Sequence, residues 1–236
     1  MSEPADAPSA RPLALVTGAS RGIGAAVARA LASRYDLLLG GRDADALERL
    51  AAELPGARPW PVELTDPAAL AVATAGVDRL DVLVHSAGVG LLGTVAETDA
   101  ETWRRQFDIN VIAVAELTRL LLPALRAARG DVVLINSGAG FTARPGWASY
   151  AASKFALRAF ADALRAEEAD NGVRVTSVHP GRVDTEMQRG VVAHEGGEYD
   201  PGRYLRPESV AGAVLLAVTA PDDAVLTEVV LRPAGG

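Results

Sequence analysis

The stretch Thr17-Gly18-Ala19-Ser20-Arg21-Gly22-Ile23-Gly24 determines how this chain folds. It follows a short apolar run and precedes a run with helical periodicity, so it indicates a turn from a strand into a helix. Glycines in such a turn let the backbone approach a pyrophosphate, and the first amides of the helix can point towards it. The spacing is G-x-x-x-G-x-G rather than the common G-x-G-x-x-G. The stretch therefore predicts a dinucleotide site in an α/β fold.

The rest of the chain alternates short apolar runs with longer helical patterns. Because continuously apolar runs are typical of strands covered on both faces, we expect parallel βαβ units. The predicted fold is α/β: a Rossmann-like, doubly wound parallel sheet of about seven strands, flanked by helices on both faces. The predicted strands are Leu13–Thr17, Asp36–Gly40, Arg58–Glu63, Val82–Ser86, Asp131–Ser137, Arg174–His179 and Ala224–Leu231. The predicted helices are Gly22–Ser33, Ala44–Leu54, Pro67–Ala75, Ala100–Arg129, Ser149–Asn171 and Pro207–Thr219.

The chain is expected to form one domain behind a short arm. Residues 1–11 are rich in Ala, Pro and acidic side chains and lack an apolar stretch, which predicts a disordered arm and no secretory signal. Residues 12–236 contain no linker or repeat and are expected to be a single dinucleotide-binding catalytic domain. Within it, the Gly- and charge-rich segment 182–206 is expected to be a mobile substrate cap, loosely ordered without ligand. Because few residues follow the last predicted strand, a separate substrate domain is not expected.

Composition narrows the classes of protein. Hydrophobic residues make up 49% of the 236 positions, which is enough for a large core. The net charge is −7 and no basic run occurs, so nucleic acid is not an expected partner. The chain has no cysteine, hence no disulfide or thiolate chemistry, and no apolar stretch long enough to span a membrane. The excess of Ala, Gly, Arg and Pro favours a bacterial cytoplasmic protein. No metal site is expected.

One pair of residues indicates acid–base chemistry. Of the 23 Lys and Arg residues, Lys154 is the only lysine, and it lies four residues after Tyr150 in a predicted helix. Both side chains therefore share one helix face, about 5–6 Å apart at Cβ. Arginine cannot replace a compact ammonium beside a titrating oxygen, and a nearby cation lowers the pKa of a phenol. On spacing alone, a surface lysine that follows a tyrosine remains the alternative.

Together these motifs resemble the short-chain dehydrogenase/reductase family over essentially the whole chain. The glycine stretch matches the family's TGxxxGxG, and Asn110, Ser137, Tyr150 and Lys154 match its catalytic tetrad in order and spacing. The segment from His179 to Thr185 resembles the family's PGxVxT, which meets the nicotinamide end of the cofactor. The stretch His85-Ser86-Ala87-Gly88 departs from the family, which usually begins it with Asn. That Asn steadies the sheet, so we expect His85 to be a buried histidine satisfied through a ring nitrogen.

The resemblance implies a role for each member of the tetrad. Ser137 would donate a hydrogen bond to the substrate carbonyl oxygen, and Tyr150 would exchange a proton with it. Lys154 would hold the nicotinamide ribose hydroxyls and lower the pKa of Tyr150. Asn110 would position a water that links Lys154 to solvent. Taken singly, Ser137 is also consistent with a strand-end cap and Asn110 with a helix kink.

The second predicted strand favours NADP(H) over NAD(H). Gly41 lies where an acid would bind the ribose 2′-hydroxyl of NAD, whereas Arg42 and Arg21 can clamp a 2′-phosphate. Asp43 is expected to cap the helix from Ala44 instead. The resemblance places Glu63 near the adenine amine. The expected cofactor-binding residues are Gly18, Ser20, Arg21, Gly22, Ile23, Gly24, Arg42, Glu63, Leu64, Ser86, Ala87, Gly88, Tyr150, Lys154, Pro180, Gly181, Val183 and Thr185.

The substrate is less defined than the cofactor. Phe141 and Trp147, with Ser137 and Tyr150, are the expected substrate-binding residues and suggest a ketone or aldehyde, or the matching alcohol, with an apolar or aromatic part. Further candidate wall residues are Val89, Leu91, Leu92 and Gly138. Arg144 and Arg182 leave an anionic or carrier-bound substrate open, such as a 3-oxoacyl thioester. A catalytically silent NADP(H)-binding regulatory protein is the alternative class, and the intact tetrad argues against it.

Two predicted helices bear on assembly. The helices at Ala100–Arg129 and Ser149–Asn171 are apolar around most of their circumference. A helix that covers one sheet face needs a single apolar stripe, so these two are expected to be buried a second time. We therefore expect a symmetric homo-oligomer. The family resemblance implies a tetramer, with a dimer as the alternative.

Overall fold

The sheet has the predicted parallel architecture. The computed structural model describes residues 11–234, and within them seven strands pair in the order β3-β2-β1-β4-β5-β6-β7, all parallel. The order reverses between β1 and β4, which creates a crevice at the carboxyl ends of these strands. The strands are β1 Leu13–Thr17, β2 Asp36–Gly41, β3 Ala57–Pro61, β4 Val82–His85, β5 Asp131–Ile135, β6 Arg174–Pro180 and β7 Glu228–Leu231.

Helices cover both faces of this sheet. In the described part of the chain they are α1 Gly22–Leu31, α2 Ala44–Glu53, α3 Pro67–Thr74, α4 Ala100–Phe107, α5 Ala113–Ala128, α6 Ala148–Glu168, α7 Glu186–His194 and α8 Pro207–Val218. One buried cluster joins α1, α2 and α8 to one face of the sheet, and a second joins α3, α5 and α6 to the other. All five residues of β5 are buried, as its continuously apolar sequence requires when both faces are covered.

The predicted helix at Ala100–Arg129 contains an irregular turn. Residues Asp108–Ile112 form a π-helical turn between α4 and α5. A π-helical turn adds a residue to the helix and is found frequently at functional sites. Asn110 lies inside this turn and is 1% exposed. The kink that the sequence left open at Asn110 is therefore a local widening of the helix.

The segment 182–206 is more regular than its sequence suggested. It contains α7 and a 3-10 turn at Pro201–Arg203, two elements that the sequence did not predict. Thr185 caps α7 by accepting a hydrogen bond from the amide of Gln188. The two ends of the segment are also joined by a hydrogen bond, which the amide of Asp184 donates to the carbonyl of Leu205 at 2.8 Å. Thr followed three residues later by Gln is a capping-box pattern, and this signal could have located the helix.

The predicted arm falls mostly outside the described residues. Residues 1–10 lie outside them, but Arg11 contacts the domain: its guanidinium donates to the carbonyls of Ala32 and Tyr35 and lies 3.6 Å from Asp36. The last residue of the predicted arm is therefore held against the start of β2. Within residues 11–234, no helix combines the length and the hydropathy needed to cross a bilayer.

Candidate active site

The glycine turn after β1 is built so that only glycine fits. Gly18 has a φ of +67°, and a side chain there would collide with the backbone of Ala87 at 2.9 Å. A Cβ on Gly24 would lie 2.2 Å from the carbonyl oxygen of Gly18. The hydroxyl of Thr17 accepts hydrogen bonds from the amides of Ser86 and Ala87 at 3.0 and 3.1 Å. The turns after β1 and β4 are thereby locked together.

The N-terminus of α1 points free amides into this region. Its N-cap residue, Arg21, is extended and makes no side-chain capping bond, unlike the acidic caps of α2, α3 and α4. Uncapped amides at a helix N-terminus form a ready anion site. The Arg21 guanidinium lies 2.7 Å from Glu186 of α7, and both side chains are exposed. A phosphate bound here would lie beside a cation that already has a partner.

Tyr150 and Lys154 both lie on the first turns of α6, as their spacing predicted. The Lys154 ammonium is buried, donates to the carbonyl of Ile135 at 3.0 Å, and lies 5.9 Å from the centre of the Tyr150 ring. Trp147 packs edge-on against the Tyr150 ring at 5.7 Å. The phenol is thus held between an indole, a buried cation and the end of β5.

The protonation of this pair is governed by burial. Burial raises the pKa of Tyr150, while a hydrogen bond with the Ser137 side chain opposes the rise. Burial lowers the pKa of Lys154 to about 8. The sequence predicted a tyrosine pKa lowered by the lysine charge; here the pKa is raised instead, because the ammonium stands 5.9 Å from the ring centre and desolvation of the phenol outweighs its effect. At neutral pH this Tyr150 is a protonated acid.

Asn110 connects the helices to the loop after β4. Its Oδ1 accepts from the Val89 amide and its Nδ2 donates to the Val89 carbonyl, both at 2.9 Å. The same Nδ2 also donates to the Ser153 hydroxyl at 3.1 Å. Gln106, which was not predicted as a site residue, is fully buried one turn earlier; its amide donates to the Val89 carbonyl and accepts from the Leu91 amide. A buried Gln four residues before Asn110 shares its helix face, which is the signal that could have found it.

Ser137 follows β5, two residues after the strand ends at Ile135. Its hydroxyl accepts a hydrogen bond from the amide of Ala139 at 3.1 Å, so it also caps the 3-10 turn at Gly138–Gly140. Its neighbour Asn136 is buried and donates to the Lys154 carbonyl at 3.2 Å. Ser137 therefore does act as a cap at the end of the strand, the alternative role considered from the sequence. Because its hydroxyl only accepts in this bond, its proton can still be donated to another acceptor.

The prediction that His85 is a satisfied buried histidine is confirmed. Its Nε2 lies 2.9 Å from the Thr118 hydroxyl, which itself donates to the Val114 carbonyl. Because the Thr118 hydroxyl has one proton and donates it to the Val114 carbonyl, it can only accept from His85, so Nε2 is the donor. Burial lowers the pKa of His85 to about 3. The ring is therefore neutral and links β4 to α5 across the sheet face.

The residues expected to meet the adenosine ribose lie at the ends of β2 and β3. The exposed Arg42 guanidinium lies 3.6 Å from Glu63, and Leu64 is half-buried beside it. Although partial burial acts to raise the pKa of Glu63, hydrogen bonds from Thr65 and the charge of Arg42 lower it overall. Asp43 accepts from the amide of Ala46 and caps α2, which confirms its predicted role.

A cavity of about 950 Å³ opens at the carboxyl ends of the strands. The predicted residues that line it are Ile23, Ser86, Ala87, Gly88, Val89, Leu92, Ser137, Gly138, Arg144, Trp147, Tyr150, Lys154, Pro180, Gly181, Arg182, Val183 and Thr185. Asn110 lies behind this wall, since a Cβ on Gly88 would be 3.1 Å from its Oδ1. The predicted residues outside the lining are Gly18, Ser20, Arg21, Gly22, Gly24, Arg42, Glu63, Leu64, Leu91 and Phe141.

Phe141, predicted to bind substrate, is not among the residues that line the cavity. Its ring packs against the ring of His179, with 4.3 Å between the centroids. The guanidinium of Arg158, a residue of α6, lies 4.4 Å from the centre of the Phe141 ring. The backbone of the turn after Ser137 directs this side chain towards the end of β6 rather than outward. Lining residues that were not predicted from the sequence include Gly90, Thr142, Met187, Gln188, Val191, Val192, Tyr204 and Arg232.

Comparison with known proteins gives a family match over most of the chain. The short chain dehydrogenase family model matches residues 12–196. Glycine betaine reductase ATRR of Emericella nidulans is 36% identical over 235 residues, covering 94% of this chain and 18% of that protein. An uncharacterized oxidoreductase of Staphylococcus saprophyticus is 33% identical over 234 residues, covering 94% of this chain and 97% of the relative. The chain spans only 18% of the length of the first of these relatives and 62% of the length of two other curated relatives, less than two thirds in each case.

A solved structure supports the same comparison. The alcohol dehydrogenase from the archaeon Thermococcus sibiricus, complexed with 5-hydroxy-NADP, superposes with a TM-score of 0.86 at 28% identity. The match covers 95% of this chain and 97% of that one. The element order, the parallel sheet and the helical layers are thus shared along nearly the whole length of both chains.

Proposed function

The chain belongs to the short-chain dehydrogenase family, and from that premise we propose that it is an NADP(H)-dependent oxidoreductase interconverting a ketone or aldehyde with its alcohol. The observation that carries the proposal is the cavity wall shared by Ser137, Tyr150 and Lys154. A hydroxyl, a protonated phenol and a buried ammonium there meet the needs of a carbonyl that gains a proton and a hydride. A pure binding protein has no use for this combination.

The glycine turn and α1 fit a dinucleotide. The close approach at Gly18 and Gly24 leaves no space for side chains, and the uncapped amides of α1 face the region where a pyrophosphate would be bound. Arg42, with Arg21, would bind a 2′-phosphate, and the Thermococcus sibiricus structure contains an NADP derivative. When bound, the nicotinamide cofactor supplies or accepts the hydride. Pro180 and Gly181 at the end of β6 line the cavity where that ring would lie.

The proton moves at Tyr150. In reduction its phenol oxygen gives a proton to the substrate oxygen, and in alcohol oxidation it takes one back. The hydroxyl of Ser137 donates a hydrogen bond to the same substrate oxygen and so stabilises the negative charge that develops there. The raised pKa of Tyr150, caused by burial, keeps the phenol protonated at neutral pH. A protonated phenol suits the acid role that reduction requires.

Lys154 and Asn110 support this proton transfer. Lys154 would bind the nicotinamide ribose hydroxyls, and its charge would stabilise the phenolate formed when Tyr150 loses its proton. Asn110 holds the loop after β4 through Val89 and lies within reach of Gly88. It would position a water that returns the proton from solvent to Lys154.

The substrate half of the cavity combines apolar and aromatic walls. Trp147 lines it next to Tyr150, and Met187, Val191 and Val192 face it from α7. These side chains suit a carbonyl compound with an apolar part. The Glu186–Arg21 ion pair connects α7 to the turn before α1. Breaking this pair would let α7 move away from the cavity and admit substrate.

We also propose that the protein is a cytoplasmic homotetramer. The π-helical turn and α6 pack against each other and leave two large apolar side chains in solvent: Ile112 is 57% exposed and Phe155 is 43% exposed. An apolar face shared by two neighbouring helices suits an isologous contact with a second copy. A dimer formed through this face alone is the alternative assembly.

The proposed activity is tested by NADPH and NADH oxidation with a panel of ketones, aldehydes, quinones and 3-oxoacyl thioesters. Turnover with NADPH is expected, and Tyr150→Phe is expected to lower kcat about 100- to 10,000-fold because only the transferable proton is removed. NADPH binding by Tyr150→Phe, measured by fluorescence, should change little. Tight NADPH binding without turnover of any carbonyl would instead support the regulatory alternative.

A further inference from the structure

One wall of the cavity carries a guanidinium that is anchored by backbone carbonyls. Arg232, the first residue after β7, donates from Nη1 to the carbonyls of His179 and Leu231 at 2.9 and 2.8 Å. These two bonds fix the direction of the side chain, and Arg232 lines the cavity. Among the contacts of residues 11–234, Arg232 makes hydrogen bonds only through Nη1, and its side chain forms no ion pair. The anchored guanidinium therefore offers unused donors to the cavity.

Two glycines make room for this side chain. A Cβ on Gly138 would lie 3.2 Å from Nη2 and 3.4 Å from Cζ of Arg232. A Cβ on Gly181 would lie 3.5 Å from its Cδ. The guanidinium thus rests on the backbone directly after Ser137, while its stem runs along the segment proposed to meet the nicotinamide. An anion held by Arg232 would lie close to the carbonyl that Ser137 binds.

The charge of the cavity differs from that of the whole protein. Its lining contains five basic side chains, Lys154 and four arginines, but only two acidic ones, Glu195 and Glu198, although the chain has a net charge of −7. One acid is already used, because Glu195 pairs with Arg182 at 2.7 Å. Arg21 and Arg42, proposed for the cofactor phosphate, are not part of this lining. With Arg182 paired to Glu195 and Lys154 proposed for the cofactor ribose, Arg144, Arg203 and Arg232 outnumber the one remaining acid, Glu198, and this excess positive charge is available to the substrate.

We propose that Arg232 is a carboxylate-binding residue and that the substrate is an oxo acid, or the matching hydroxy acid. Its carbonyl would lie at Ser137 and Tyr150 and its carboxylate against the free edge of the Arg232 guanidinium. A planar guanidinium binds a carboxylate through charge-assisted hydrogen bonds, which a neutral ketone cannot form. This inference rests on the proposed reductase function and narrows its substrate class. Arg144, which is exposed at the cavity wall, would add to the attraction without the same anchoring.

The kinetic test compares 2-oxo and 3-oxo acids with their methyl esters, which lack the carboxylate charge and carry one additional methyl group. We expect the acids to have the higher kcat/KM. Arg232→Gln should lower the acid-to-ester ratio of kcat/KM by about ten- to a hundred-fold, mainly through the KM of the acid. Arg232→Lys should recover part of the ratio because it restores the charge. Arg34→Gln, an exposed arginine at the opposite end of the sheet, is the matched control and should leave the ratio unchanged.

A binding experiment separates this inference from the proposed activity. Calorimetry with NADP⁺ present would compare a saturated carboxylate, which cannot be reduced, with its amide. Carboxylate binding that is lost in Arg232→Gln supports the inference even if no carbonyl is turned over, in which case only the proposed activity fails. Three results would overturn it: a preference for the esters, equal losses for acid and ester in Arg232→Gln, or binding of acid and amide with equal affinity. Equal losses would show that Arg232 only braces the ends of β6 and β7.

Discussion

The ring of His179 and the backbone of Ser137 are joined by a hydrogen bond of 3.1 Å, from Nδ1 to the carbonyl oxygen. A carbonyl can only accept, so Nδ1 carries the proton and a neutral ring leaves Nε2 as an acceptor. Among the described residues Nε2 has no hydrogen-bond partner, and it lies 3.8 Å from Oε1 of Glu228. Burial lowers the pKa of His179, which preserves the neutral ring. The buried histidine thus positions the serine proposed to bind substrate.

Removing the Nδ1 donor should disturb both stability and catalysis. His179→Leu leaves the Ser137 carbonyl without its partner, which is expected to cost about 1–3 kcal/mol of unfolding free energy and to lower kcat. His179→Asn keeps an N–H near the position of Nδ1 and should recover much of both. Urea denaturation and steady-state kinetics measure the two effects. Wild-type kcat in His179→Leu would show that the bond does not position Ser137.

The lysine pKa predicts how activity changes at alkaline pH. Burial lowers the pKa of Lys154 to about 8, so the ammonium loses its proton as pH rises through that value. The kcat/KM for ketone reduction, which reports groups of the free enzyme, should fall above about pH 8. Lys154→Arg stays charged and should be much less active but lack this decline. A pH profile that is flat up to about pH 10 in the wild type would contradict the assignment.

Cofactor choice should depend on Arg42. Arg42→Ala removes a charge-assisted contact to the 2′-phosphate and should weaken NADPH by about 1.5–3 kcal/mol, roughly ten- to a hundred-fold in Kd. NADH, which lacks that phosphate, should be little affected. Arg49→Ala on α2, another exposed arginine, is the matched control. Equal affinities of the unmodified protein for NADH and NADPH would rule out the clamp of Arg42 and Arg21.

Acid should destabilise the fold through His85. The unfolded chain protonates this ring below about pH 6.5, whereas the folded pKa is about 3. The folded-state pKa is lowered, so this effect is absent above about pH 6.5 and stability falls as pH falls towards 3. The slope is about 1.4 kcal/mol per pH unit. His85→Gln can still donate to Thr118 and should show a shallower decline between about pH 7 and pH 5. Parallel curves for the two proteins would exclude His85 as the cause.

The exposed apolar face should control assembly. Phe155→Asp places a charge on a side chain that is 43% exposed in one subunit, so it should dissociate an oligomer without unfolding the subunit. Val72→Asp changes a residue that is 79% exposed on α3 and serves as the matched control. Leu164 is 4% exposed and packs in the core, so a charge there should unfold the protein instead. Light scattering that shows an active wild-type monomer at micromolar concentration would remove this interface.

The features that the sequence located correctly are those that depend on local spacing. The glycine turn and the Tyr150–Lys154 pair each depend on residues a few positions apart, and their geometry follows from the turn and the helix themselves. His85 was placed through the family resemblance, because the Asn that the family usually has at this position steadies the sheet by hydrogen bonding. The continuously apolar strands likewise predicted a sheet covered on both faces.

The features that were missed depend on distant contacts. Phe141 lies close to the tetrad in sequence, yet its ring faces His179 and Arg158. Arg232 lies far from Ser137 along the chain, and only the pairing of β6 with β7 brings it over Gly138. The pKa of Tyr150 was misjudged because desolvation depends on everything packed around the ring rather than on one neighbouring charge.

The π-helical turn at Asp108–Ile112 has a consequence for how this chain can change. Each residue of a helix rotates the following ones by about 100°, so the extra residue sets the phase between α4 and α5. With that phase, Asn110 faces inward and Ile112 faces solvent. Deleting one residue would turn one of these two faces away from its present direction. The same helical phase therefore orients both the inner wall of the pocket and the outer apolar face, so an insertion or deletion in this helix cannot change one without the other.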